Sequence, residues 1–489
     1  MENWLKKRSQ LSAEKIALVY QDKHITFSEL NQMVQQLAGQ INQQLTDQRP
    51  VAVIGNNNLI TYQAILAVHQ LGLPLVLLNF RLSVRELNLQ LSDAQPQLVI
   101  LDQALSNQIS PEQLNMPTIT TSELTRAAIK PFQVQAEFKN DQLADIMYTS
   151  GSTGRPKGVM QTFGNHFYSA IGTGLNFQLT DQDAWLCAVP LFHISGLSIM
   201  MRSLIYGLTV YLEPKFSAQR INELLSHEPV TIISVVPYML KKLLAALPLT
   251  QHYQSKFRIM FLGGGPTDQQ TLTACQQRHI PVVQSYGMTE TASNVVALNF
   301  KDAQRKLGSS GQALFPVQLR IDHPKNKKLG EIQLKSPTIA QGYLNQPELF
   351  QKKFTPDHWF KTGDVGYLDA DHFLFVKGRQ DTMFISGGEN IFPNEIEDVY
   401  HNYPDIQEIV ISHESDPQWG AIPIAYIVAK PQAQLSTQTL TTFGRQYLAH
   451  YKVPKKFYLL KTLPRTGNGK IDYRGIHALH PDVKQLLSN

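Results

Sequence analysis

Between Tyr148 and Val159 the chain reads Tyr-Thr-Ser-Gly-Ser-Thr-Gly-Arg-Pro-Lys-Gly-Val. Thr149, Ser150, Ser152 and Thr153 supply hydroxyls, Gly151, Gly154 and Gly158 free the backbone, and Lys157 supplies a full positive charge. Backbone N–H groups, hydroxyls and one cation converging in this way make a cradle for phosphate oxygens. A Walker A loop would need glycine before the lysine and a hydroxyl after it, where Pro156 and Gly158 stand. A nucleophile elbow would need glycine two residues before Ser152, and that residue is Ser150.

Three further segments carry chemistry of a related kind. In Ser285-Tyr286-Gly287-Met288-Thr289-Glu290 a ring, a hydroxyl and a carboxylate follow one short apolar run. Such a set can stack a base, touch a phosphate and hold Mg²⁺. Phe360-Lys361-Thr362-Gly363-Asp364 places a carboxylate in an expected turn, with Arg379 fifteen residues further on; the two suit the hydroxyls of a sugar. Leu463-Pro464-Arg465-Thr466-Gly467-Asn468-Gly469-Lys470 presents a lysine on a glycine-bearing loop, able to neutralise charge developing at a phosphate.

The elements that must position these residues read as layered α/β. Apolar runs at Val51–Ile54, Leu98–Leu101, Thr231–Val236, Arg258–Leu262 and Val282–Gln284 alternate with helical patterns, and Asp145–Tyr148 precedes the first loop. Several end in small turns, Gly263-Gly264-Gly265 among them, and ligands settle at such strand ends in mostly parallel sheets. Beyond Gly378-Arg379-Gln380-Asp381 the texture changes. Pro393 opens a helix with Ile396, Val399, Tyr400 and Tyr403 on one face. Runs at Glu408–Ser412 and Ile422–Val428 read as strands. Ser436 then caps a helix carrying Leu440, Phe443, Tyr447 and Tyr451. The expected organisation is a large domain over 1–379 and a small, mobile α+β domain over 380–489.

Composition excludes several classes. Of 489 residues 43% are hydrophobic and 17% charged, which excludes a disordered polyelectrolyte. A net charge of +5 is small for a nucleic-acid binder. Cys187 and Cys275 read as buried thiols in a reduced compartment. No signal peptide is evident, and Ala64–Leu78, the most apolar stretch, is broken by His69, Gln70, Gly72 and Pro74. A cytoplasmic protein without a membrane span is expected, and assembly into a homo-oligomer is left open.

Taken in order, these segments resemble the adenylate-forming superfamily of acyl-CoA synthetases, luciferases and peptide-synthetase adenylation domains, over essentially the whole chain. The resemblance implies that Thr149, Ser150, Gly151, Ser152, Thr153, Gly154 and Lys157 embrace the ATP β- and γ-phosphates. It implies that Gly263, Gly264, Gly265 and the strand-end residues Ser285, Tyr286, Gly287 and Met288 form the adenine side. Thr289 would contact the α-phosphate, Glu290 would hold Mg²⁺, and Asp364 and Arg379 would bind ribose. Lys470 would bridge the substrate carboxylate and the α-phosphate. Asp381 matches the hinge, and Ser386, Gly387, Gly388 and Glu389 belong to the loop that meets coenzyme A after the small domain turns.

Within that superfamily Gln161–His166, Pro190–Ser198, Ser203–Gly207 and Trp359–Asp369 resemble the branch that ligates 2-succinylbenzoate to CoA in menaquinone biosynthesis. That resemblance implies an aromatic dicarboxylate substrate, with His193 as a gate and orienter. Ser195, Gly196 and Leu197 would line the aromatic part, and Arg202 would meet the carboxylate that does not react. Lys452, Lys455, Lys456 and Lys461 read either as contacts for the CoA phosphates or as a solvated face. A fatty-acid or other aryl-CoA ligase is the enzymatic alternative, and a nucleotide-binding sensor without catalysis the alternative from another class. An adenylation module is disfavoured, because no carrier segment with a phosphopantetheine serine follows.

Overall fold

The computed structural model describes residues 1–149, 156–265, 267–322, 329–386, 389–417, 419–465, 471–479 and 485–486. Two sheets of mostly parallel strands dominate the N-terminal part. One holds seven strands in the order Gly342–Tyr343, Lys157–Thr162, Leu143–Thr149, Leu75–Leu78, Val51–Ile54, Leu98–Leu101 and Thr118–Thr120. The other holds nine, running from Gln312–Ala313 through Ser293–Ala297, Val282–Met288, Ile259–Leu262, Ile232–Val235, Ala184–Cys187, Thr209–Leu212 and Ile16–Tyr20 to Lys23–Thr26. Val51–Ile54 and Ile232–Val235 are buried at every residue. They therefore read as unbroken apolar runs rather than alternating ones.

Helices cover these sheets for reasons visible locally. In Phe27–Asn42, Thr26 and Glu29 form a reciprocal capping box, and Phe27, Leu30, Val34, Leu37 and Ile41 recur every three or four residues on the buried face. Burying each such side chain stabilises by about 1.5–3 kcal/mol, so Phe27→Ala, at a site with no exposure, would cost about 3–5 kcal/mol. A third sheet, antiparallel and four-stranded, includes Phe360–Leu368 and Leu374–Arg379.

The C-terminal part has its own apolar cores. Phe384, Ile396, Tyr400, Ile409, Ile427 and Phe457 belong to one, and Val410, Tyr426, Leu460 and Ile476 to another. Its strands Ile406–Asp416 and Gly420–Ala429 occur where the sequence places them, whereas the helix Pro393–Tyr400 ends before Tyr403, which packs against the core from the following turn. Ser436 accepts a hydrogen bond from the Thr439 N–H at the start of Thr437–Tyr447. That helix ends at Tyr447, so Tyr451 packs against the core from the following turn and not from the helix face.

One strand runs past its expected end, and one expected turn is a strand. Val282–Met288 continues through the Tyr-Gly pair because Ser285–Met288 finds an antiparallel partner in Ser293–Ala297. Gly287 is required there, since a Cβ would stand 2.1 Å from the Ser293 carbonyl oxygen. Asp364 likewise lies inside Phe360–Leu368, in register with Arg379 on the neighbouring strand. No helix among the described residues is long and apolar enough to cross a membrane. Both cysteines are buried and unpaired, and burial pushes each thiol up to about 12.

Candidate active site

A cleft of about 2440 Å³ opens where Leu143–Thr149, Ile259–Leu262 and Val282–Met288 end. Glu395, Asp398, Tyr447 and Arg465 of the C-terminal part close its other side. At one wall Thr149 and Lys157 pair across antiparallel strands, so the first motif leaves and re-enters the sheet at facing residues. The Lys157 ammonium lies 5.4 Å from the Tyr343 ring, whose hydroxyl donates to Glu290 Oε1 at 2.7 Å. Burial, with Glu290 beside it, pushes the Tyr343 phenol well above its ordinary value and keeps it a donor. The second Glu290 oxygen has no partner among the described residues. One free carboxylate oxygen near the Lys157 ammonium fits Mg²⁺, which takes one or two carboxylates and fills its remaining positions with phosphate and water. No cluster of three or more His, Cys, Asp or Glu competes for a metal among those residues. Thr289 faces the cleft, and its carbonyl accepts a hydrogen bond from Gln161 Nε2.

The opposite wall is a linked polar set. Tyr286 Oη donates to Asp364 Oδ2 at 2.6 Å, and Arg379 Nη1 lies 3.4 Å from Asp364 Oδ1. The same guanidinium forks onto both Asp381 oxygens at 3.1 and 3.2 Å. Burial raises the Asp364 carboxyl despite the tyrosine and the arginine. Burial opposes the charge on Arg379, but Asp381 and Asp364 outweigh it and hold the guanidinium above its ordinary value. Gly263, Gly264 and Gly265 border this wall, as do Ser285, Gly287 and Met288. Gly264 has φ +82°, a conformation that favours glycine.

The third region is built on the helix Ile194–Tyr206. His193 stands at its N-cap, half-buried, with its ring 4.6 Å from that of Phe192. Ser195, Ser198 and Arg202 follow at helical spacing and face the cleft. Arg202 is fully buried. Its guanidinium donates to Ser198 Oγ at 3.1 Å, Thr173 Oγ1 at 3.2 Å, Ser293 Oγ at 3.2 Å and Asn294 Oδ1 at 2.9 Å. All four are neutral, Nε has no partner, and no carboxylate pairs with it among the described residues. Burial brings it down to about 9. Ser293 has φ +104°, a costly conformation for a residue with a side chain.

Several expectations are corrected. Gly196 and Leu197 do not line the cleft: a Cβ on Gly196 would meet the Pro190 carbonyl oxygen at 2.2 Å, and Leu197 is wholly in the core. Ser386, expected to meet CoA only once the small domain has turned, is 3% exposed in the hairpin Phe384–Ser386/Glu389–Ile391 and does not line the cleft in this arrangement. Lys452 and Lys456 are held by Glu395 and Glu414 at 2.6 and 2.5 Å, whereas Lys455 and Lys461 are exposed. Ser150–Gly154, Gly387, Gly388 and Lys470 lie outside the described residues. Arg465 and Ile471, which flank Lys470, bridge one another, and Arg465 and Asp472 border the cleft. Thr173, Ser293, Asn294 and Lys353 were missed, because none belongs to a motif.

The chain belongs to the AMP-binding enzyme family, whose main domain matches residues 5–344 and whose C-terminal domain matches 395–470. It is 43% identical over 481 residues to the 2-succinylbenzoate–CoA ligase of Listeria monocytogenes, covering 98% of this chain and 100% of that one. The o-succinylbenzoate CoA synthetase of Bacillus subtilis, in complex with its acyl-adenylate intermediate, superposes with a TM-score of 0.93 at 38% identity, covering 98% and 99% of the two chains. A double mutant of that synthetase with a product analogue gives 0.75 at the same identity, over 100% and 99%. The arrangement of this chain is therefore closer to that of the acyl-adenylate complex.

Proposed function

We propose that the chain is an ATP-dependent acid–thiol ligase that converts 2-succinylbenzoate to its CoA thioester through an acyl-adenylate, releasing pyrophosphate and AMP, as a step of menaquinone biosynthesis in the cytoplasm. Relatives of that name match it from end to end. The observation that carries the substrate is Arg202, a buried guanidinium at the cleft with neutral partners and no carboxylate among the described residues. A buried charge left unpaired is costly, and a ligand carboxylate is the partner this geometry lacks. A second carboxylate on the acid supplies it while the first reacts.

The remaining roles follow from position. The Thr149–Lys157 segment takes the outer phosphates, Thr289 the α-phosphate and Glu290 the magnesium ion, which screens phosphate charge when bound. Asp364 and Arg379 hold ribose, and Tyr286, tethered to Asp364, packs adenine against Gly263–Gly265. With these groups fixed, the acid's carboxylate attacks the α-phosphorus in line with departing pyrophosphate. Lys470 neutralises charge between them, so positioning and electrostatics replace a protein nucleophile. The CoA sulfur then attacks the acyl carbon and AMP leaves.

We place the boundary between the domains at 379–380 with its hinge at Asp381, and the CoA-facing loop at Ser386–Glu389. The hinge carboxylate shares Arg379 with the ribose carboxylate, and Ser386 reaches the cleft only after the small domain turns. Incubation with ATP, Mg²⁺, CoA and a panel of acids tests the substrate. 2-Succinylbenzoyl-CoA should dominate the panel, and turnover of only fatty or simple aryl acids would refute it.

A further inference from the structure

Lys353 is a cation of the cleft that the roles above leave unused. It follows the short helix Pro347–Gln351, its N–H donating to the Phe350 carbonyl at 2.9 Å and its carbonyl accepting from Lys361 N at 2.6 Å. The backbone is therefore fixed while the half-buried side chain reaches the cleft. Its Nζ lies 3.7 Å from the point where a Cβ on Gly363 would stand, and Arg379 Nη2 lies 3.4 Å from the same point. Two cations thus crowd the segment that carries Asp364.

Each nearby anion already has a partner, with one Glu290 oxygen left free. Asp364 and Asp381 face Arg379, Glu331 accepts the Gly363 N–H at 3.0 Å, and Glu290 accepts from Tyr343. The Lys353 ammonium has no hydrogen-bond or ion-pair partner among the described residues. Burial, then Arg379, depresses its pKa, with Lys157 acting in the same direction and Glu290 and Glu331 against it. Its electrostatic neighbours therefore run from the ribose end of the cleft to the phosphate end. A half-buried cation among like charges is unfavourable alone and becomes favourable beside a polyanion.

We propose that Lys353 binds the polyphosphate of the nucleotide, as a second lysine contact in addition to Lys157. The assignment rests on the nucleotide reading of the cleft. It is tested by titrating the full-length protein separately with ATP, pyrophosphate and AMP, in wild type, Lys353→Met and Lys353→Arg. A charge-assisted contact predicts roughly ten- to a hundredfold weaker binding of ATP and pyrophosphate to the Met variant, with AMP within about twofold and Arg restoring most of the loss. Unchanged ATP affinity would overturn the proposal, and so would an AMP loss equal to that for ATP, which would make Lys353 a support for the ribose pair. If Lys353→Met does not fold, Lys353→Gln takes its place. If both neutral variants unfold while Arg does not, the charge is structural and the proposal fails. Failure of the wild type to bind ATP or AMP would instead refute the nucleotide reading itself.

Discussion

Replacing Arg202 with methionine removes the guanidinium and leaves a shorter, unbranched apolar side chain. The pKa of Arg202 falls to about 9 on burial, which corresponds to roughly 5 kcal/mol disfavouring the charged form. Its four hydrogen bonds, to Ser198, Thr173, Ser293 and Asn294, each contribute about 1.5–3 kcal/mol at most and together are large enough to offset this penalty. The unliganded protein should therefore change little in stability, within about 1–2 kcal/mol, since exchange of buried charge for apolar volume is often neutral. Substrate binding should change much more. Truncating one partner of a buried charged contact costs about 2–5 kcal/mol, so KM for 2-succinylbenzoate should rise about 30-fold to several thousandfold. KM for ATP should stay the same, and a monocarboxylic analogue should lose little. Steady-state thioester formation and thermal melts, each with and without the acid, read both quantities. The stabilisation by added 2-succinylbenzoate should vanish in the variant. A loss of 3–5 kcal/mol in the unliganded protein, with all acids falling alike, would refute the reasoning and make Arg202 a core residue.

Asp364→Asn should weaken ATP binding about tenfold or more while leaving the unliganded melt unchanged or slightly raised, because burial already disfavours this carboxylate's charge. Its raised pKa also predicts that ATP affinity in the wild type falls on acidification at a pH above the ordinary carboxylate range, which a pH series of titrations reads. Glu397 is buried, and burial pushes it up to about 8. The folded state keeps that proton after the unfolded chain has lost its own, so stability should decline as pH rises from the ordinary glutamate range to about 8. Melts from pH 5 to 9 should show this decline, and Glu397→Gln should flatten it. Lys470→Ala should abolish pyrophosphate exchange while a chemically prepared acyl-adenylate still reacts with CoA; equal loss of both half-reactions would contradict its assignment.

The nucleotide end of the cleft was legible because its residues sit in contiguous motifs at strand ends. The fifteen-residue spacing of Asp364 and Arg379 even encodes their geometry, since a short antiparallel hairpin brings them into register. Their surroundings were less legible. Tyr286-Gly287 lies past the apolar run and Asp364 reads locally as a turn, and pairing with the next strand in the chain makes both extended. In the acyl pocket Ser195, Ser198 and Arg202 share one helix face, so helical spacing alone would have separated them from Gly196 and Leu197. No such signal marked Thr173, Ser293 and Asn294, which reach Arg202 from a different helix and a different strand. Lys353 was hidden for the same reason: it stands out only because its ammonium has no partner among the described residues.

Isotopic labelling tests the central claim most directly. With the carboxylates of 2-succinylbenzoate carrying oxygen-18, one reaction with ATP, Mg²⁺ and CoA should yield 2-succinylbenzoyl-CoA and AMP bearing one heavy oxygen, with none in pyrophosphate. That pattern requires the carboxylate to have bonded to the α-phosphorus. Heavy oxygen in orthophosphate with ADP as the other product, or a thioester formed without labelled AMP, would contradict the acyl-adenylate route.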